Sequence, residues 1–274
     1  PLGTAAIAIT DDDGSPGCAV ADGRLCLLGG RFKVEVEWRN QRNGQRGFGH
    51  ALPGSDQSGY FWFDNADSIE LVVKALDGRP ITGAHWLFYG ALSDVEYWVT
   101  VTDTATGAVK LYRNVPGSIC GVGDTAAFPQ GAAATSAVSA ASSLLALGGL
   151  GSPIEPVLHQ RAACVPGPLT LCLLDGRFQV DVTWRNHRNG QTGVGSAIPF
   201  SGVSGFFWFD NPASVELVVK SLDGRTLNGN FWFFYGALSD IEYTIRVTDT
   251  SSGLVRSYNN AGGNICGVGD INAF

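Results

Sequence analysis

The sequence predicts an all-β fold, two tandem immunoglobulin-like antiparallel β-sandwich domains joined by an Ala/Ser-rich linker. Three observations predict it. The chain is written twice: sliding its 274 residues by 146 positions aligns residues 18–128 with 164–274 without insertion or deletion, and about 67 of the 111 pairs are identical. A register held that long marks each copy as one folding unit, because loops drift in length where nothing fixes them. Within each copy, apolar and polar residues alternate with period two, the signature of strands with one wet side. Turn residues punctuate these runs at short intervals and no helical periodicity appears, which gives about seven strands in roughly 100 residues, the spacing of a sandwich.

In chain order, residues 1–17 form an apolar arm. Its "AAIAIT" run puts Ile7 and Ile9 on one face of a short strand that needs a partner edge. Asp11, Asp12 and Asp13 then stand side by side, which reads as a solvated turn; a helical calcium loop needs acids at alternate positions and a Gly at the sixth. The first repeat, 18–128, opens its regular pattern with "RFKVEVEW", which sorts Phe32, Val34, Val36 and Trp38 from Lys33, Glu35 and Glu37. A loop carrying Arg42, Asn43, Gly44 and Gln45 follows, with Asn-Gly as a hairpin signal. Then come "GYFWF", "SIELVVKAL", a "DGRPITG" connection, "AHWLFYGAL", a run with Val95, Tyr97, Val99 and Val101 facing inward, and "AVKLYRN". Residues 129–163 read as an Ala/Ser/Gly-rich linker of low charge, in which Leu144, Leu145 and Leu147 are too apolar to hang in water without a docking surface. The second repeat, 164–274, restates the first.

The six cysteines fall at matched positions, and no C-x2-C pair or Cys/His cluster suggests zinc, so disulfides in an oxidising compartment are expected. Turn residues between the closer cysteines favour Cys18 with Cys26 and Cys164 with Cys172. Cys120 and Cys266 are then left to bridge the repeats, to pair between chains or to stay free.

A formal net charge of -7 with only 18 Lys and Arg gives no electrostatic reason to expect nucleic acid. No run of about twenty apolar residues exists, so no membrane span is expected. The chain starts without Met and contains none, which fits a mature extracellular or cell-surface chain exported by a signal peptide that has been removed.

Chemistry is sparse. His50 aligns with Ser196, His85 with Phe231, and His187 with Gln41, while His159 lies in the linker, so no histidine site is duplicated. No nucleophile elbow or phosphate loop appears. Catalytic residues, metal ligands and cofactors are therefore not expected. The acids kept in both copies, Glu70 and Glu216 among them, read as caps of turns at strand ends.

Aromatics carry more. In "GYFWF", Tyr60 and Trp62 share one face and Phe61 and Phe63 the other, so the strand is buried on both sides, or else one face is a platform for sugar rings or a neighbouring subunit. The platform candidates are Tyr60, Trp62 and Trp86 with their twins Phe206, Trp208 and Trp232. Trp98 falls on the outward face of an alternating strand and has Thr244 as its twin, which marks a contact made by the first repeat alone.

Taken together, "GRF-V-V-W", "YFWF", "ELVVK-LDG", "YGALSD-EY" and "VTDT-TG" resemble a β-rich repeat of secreted and surface proteins of bacteria. The resemblance implies export and a β module and brings no activity with it. The expected function is a non-enzymatic extracellular structural protein whose tandem sandwiches associate with other copies of themselves, into a filament or surface assembly, through Ile7, Ile9, Leu144, Leu145, Leu147 and Trp98. A carbohydrate-binding or adhesive module is the alternative, and a secreted peptidase inhibitor the third.

Overall fold

The computed structural model describes residues 17–131, 136–140, 155–156 and 163–274. The first repeat supplies β1 (Leu25–Leu27), β2 (Phe32–Arg39), β3 (Arg46–Phe48), β4 (His50–Pro53), β5 (Ser58–Trp62), β6 (Leu71–Leu76), β7 (Ala84–Ala91), β8 (Glu96–Asp103), β9 (Val109–Asn114) and β10 (Val122–Pro129). A single helical turn, α1 (Arg79–Thr82), joins β6 to β7 and ends on Gly83 in the left-handed conformation that glycine adopts without a steric penalty. Linker residues add β11 (Ser136–Ala140) and β12 (Glu155–Pro156). The second repeat repeats the plan as β13 (Thr170–Leu173), β14 (Phe178–Arg185), β15 (Thr192–Val194), β16 (Ser196–Pro199), β17 (Ser204–Trp208), β18 (Leu217–Asp223), α2 (Arg225–Asn228), β19 (Phe231–Ala237), β20 (Glu242–Asp249), β21 (Leu254–Asn260) and β22 (Val268–Asp270).

Each repeat is a sandwich of two sheets. In the first, an outer sheet runs β1-β2-β8-β9-β11 with β3 also on β2, and it faces an inner sheet ordered β10-β7-β6-β5-β4. The second repeat has the matching pair, β12-β21-β20-β14-β13 with β15 on β14, and β16-β17-β18-β19-β22. The alternation read in β2 and β8 is what closes the core: Phe32, Val34, Val36 and Trp38 point in against Tyr97, Val99 and Val101, with Phe61, Leu71 and Val73 opposite. Burying each such side chain stabilises the fold by about 1.5–3 kcal/mol, so each outward charge on β2 is matched by a larger inward contribution.

Two stretches of the linker add strands to sheet edges of their own chain. Residues 136–140 extend the outer sheet of the first repeat parallel to β9, and Glu155 and Pro156 pair antiparallel with β21, the equivalent edge of the second repeat. Such additions satisfy backbone groups that an open edge leaves unpaired. Ile7, Ile9, Leu144, Leu145 and Leu147 lie outside the described residues.

All six cysteines are paired, as Cys18 with Cys26, Cys164 with Cys172, and Cys120 with Cys266. Of the three outcomes open for the last pair, the bridge between repeats is the one formed.

Candidate functional site

The inner sheets of the two repeats pack against each other through their outer faces. Tyr60, Ile69, Val72 and Leu92 of the first repeat meet Phe206, Val215, Val218 and Leu238 of the second in one apolar cluster. Each residue of one set is the 146-position twin of a residue in the other, so the seam is isologous, the geometry of a symmetric dimer built inside one chain. Smaller contacts obey the same reciprocity. Ser55 Oγ donates to Ala213 O at 3.4 Å and Ser201 Oγ to Asp67 O at 2.9 Å; Gly121 N donates to Ile265 O at 3.1 Å and Gly267 N to Ile119 O at 3.2 Å. Cys120 and Cys266 are twins of each other, so the disulfide joining them sits where the two halves of the seam meet.

A lysine from each repeat crosses this seam. Lys74 on β6 donates to Ser214 Oγ at 3.2 Å, Val215 O at 3.1 Å and Glu216 Oε1 at 3.4 Å. Lys220 on β18 donates to Ser68 Oγ at 3.2 Å, Ile69 O at 3.1 Å and Glu70 Oε1 at 3.2 Å. Both side chains are 3 % exposed, and each ammonium finds three acceptors for its three protons. Ser214 and Ser68 in turn donate to Glu216 and Glu70, which holds the carboxylates in place. Burial pulls the Lys74 ammonium below the usual lysine range, and the Glu216 carboxylate opposes that pull. The sequence S-[I/V]-E-L-V-V-K thus holds both halves of the lock, acceptors at its start and donor at its end. Glu70 and Glu216 are not turn caps: they are the counter-charges of lysines from the opposite repeat.

This seam corrects part of the platform reading. Tyr60 and Phe206 are 7 % and 1 % exposed and stack on each other at 4.3 Å, so neither offers a face to a ligand. Trp86 and Trp232 are half-buried against Gly78 and Gly224, and their indole N–H groups donate to Thr82 Oγ1 at 2.7 Å and Asn228 Oδ1 at 2.9 Å. Trp62 is half-buried under His50, stacked at 3.8 Å, while His50 Nδ1 lies 2.9 Å from Asp22; Trp208 lies opposite Ser196 and has no such partner. The Arg42 and Arg188 guanidiniums of the Asn-Gly loops are each engaged by a carboxylate of their own repeat, Asp94 and Asp240.

Trp98 does face outward. The register of the outer sheet sets Phe48, Glu37, Trp98 and Arg113 in one row across β3, β2, β8 and β9. Phe48 is 70 % exposed, and the Arg113 guanidinium sits 5.9 Å from the centre of the Trp98 ring. Beside the row, Glu96 is buried between Arg39 at 2.6 Å and Arg113 at 2.5 Å. In the second repeat the row reads Val194, Thr183, Thr244 and Asn259, and Glu242 is only half-buried, with Arg185 alone at 3.3 Å.

Among the described residues, no group of three or more His, Cys, Asp and Glu side chains could hold a metal ion, and no helix is long and apolar enough to cross a membrane. No protein-family model, curated protein or solved structure matches this chain.

Proposed function

We propose that the protein is a non-enzymatic extracellular structural subunit, a rigid locked pair of sandwiches that associates with further copies of itself into a filament or surface assembly. The observation that carries this reading is the seam: the module recognises its own kind through equivalent residues, and a disulfide fixes the result. Three disulfides suit an oxidising compartment. The pairing also makes the unit bivalent. Ile81 on α1 and its twin, Leu227 on α2, are 75 % and 76 % exposed, so each repeat offers an equivalent apolar tip. A subunit with two equivalent contact points can extend a chain without closing it.

Light scattering and negative-stain electron microscopy of the intact chain over rising concentration test the proposal. Oligomers or filaments are expected from the native chain, and single particles with an unchanged melting temperature from Ile81→Asp combined with Leu227→Asp. A native chain that stays monomeric at every concentration would end it.

A further inference from the structure

We propose that the outer sheet of the first repeat binds an acidic polysaccharide, with Phe48, Glu37, Trp98 and Arg113 as its central row. This rests on the geometry of one sheet and is independent of the assembly proposed above. The row is not something the fold requires. About 67 of 111 paired positions are identical between repeats, yet all four of these differ, and the second repeat folds with Val194, Thr183, Thr244 and Asn259 in their places. An exposed Phe and a partly exposed Trp kept on a sheet that stands without them are binding residues in composition, since aromatic side chains and Arg dominate contact energies.

Spacing and charge select the ligand. Phe48 and Trp98 lie two strands apart, about 10 Å at the usual strand spacing, with Glu37 on the strand between them. Two aromatic rings at that separation receive the apolar faces of alternate rings of a sugar chain, and a carboxylate between them accepts hydroxyl protons. The outward positions of this sheet carry Arg24, Lys33, Arg39, Arg46 and Arg113 against Glu35, Glu37 and Glu96. The equivalent face of the second repeat carries Arg185 and Arg246 against Asp181 and Glu242. A positive excess on one face of a chain of net charge -7 is local complementarity to an anion. Glu37 at the centre disfavours a ligand charged at every unit, as nucleic acid is, and favours one in which charged and neutral sugars alternate.

Hyaluronan oligosaccharides, which alternate a uronic acid with a neutral sugar, are the probe, and titration calorimetry on the intact chain is the readout, with dextran and oligothymidylate as comparators. Binding of hyaluronan that weakens with added salt is expected, together with little or none of the two comparators. Phe48→Val with Trp98→Thr installs the second repeat's own residues and leaves Arg113 against the buried Glu96, so the melting temperature should hold while affinity falls at least about tenfold. Should that variant unfold, amide shift changes in the native chain decide the matter, and they should cluster on β2, β3, β8 and β9. No hyaluronan binding, equal binding of dextran, tighter binding of oligothymidylate, or shifts elsewhere on the molecule would overturn the proposal.

Discussion

At the scale of single residues, the seam depends on two lysines that are stabilising only while their partners are present. Replacing Lys74 by Met leaves the Glu216 carboxylate and Ser214 buried without their cation, and breaking a buried pair from one side costs about 3–5 kcal/mol. Urea unfolding should report that loss. His85 makes a second test. It is 3 % exposed, and burial, with Arg31 and Arg79 nearby, holds its imidazole below the ordinary value of 6.5. The unfolded chain therefore binds the proton first as pH falls, so stability declines below about pH 6.5. His85→Phe installs the residue found at Phe231 and should flatten stability over that window in denaturant titrations at several pH values. Neither residue was readable as such. A lysine after two valines in "ELVVK" reads as the wet position of a strand, and only its repetition in "ELVVK" of the twin hints at a shared constraint.

The elements were more legible than the residues. Alternation in β2 and β8 foretold which side chains face in, because one face of each is wet, and a period of two has a single solution there. In β5 and β6 the apolar run is continuous, with burial on both faces. The sequence therefore required a cover for the second face without naming it, since no pattern within one strand encodes which surface docks on it. The cover is the same element of the other repeat. Its closeness has a backbone cause: a Cβ at Gly90 would stand 2.9 Å from Ala237 O, and one at Gly236 would stand 2.9 Å from Ala91 O. Gly90→Ala or Gly236→Ala should each force β7 and β19 apart and destabilise by roughly 1–3 kcal/mol, as overpacking does. Calorimetric melting would show it, and an unchanged transition would mean that the strands do not approach as described.

For the whole molecule, the Cys120 to Cys266 bridge closes a loop of 146 residues, whereas the other two each span 8. On the loop-entropy account, removing the long bridge by Cys120→Ser with Cys266→Ser costs about 5 kcal/mol, against roughly 2.5 for either short one. Melting of the three double variants ranks them. Alkali gives a further global probe. Burial raises all seven tyrosines, Tyr60 and Tyr235 to about 12 and the others further still. A folded value above the ordinary 10 means that the stability is fully present below pH 10 and is lost as pH rises through the folded values. Phenolate absorbance should thus stay low past pH 10 and then appear cooperatively with unfolding, and a gradual titration from pH 10 would contradict the burial.

The central claim is that the duplicated "ELVVK" stretch locks each repeat to the other. A double-mutant cycle measures it most directly, with Lys74→Met and Glu216→Gln made singly and together and unfolding free energy as the readout. Lys74 and Glu216 lie 142 residues apart in sequence and in different repeats. The account predicts a coupling of at least about 1 kcal/mol for that pair, and additivity within roughly 0.5 kcal/mol for Lys74 with Glu70 of its own repeat. Additivity of Lys74 with Glu216, or coupling of Lys74 with Glu70 instead, would contradict it.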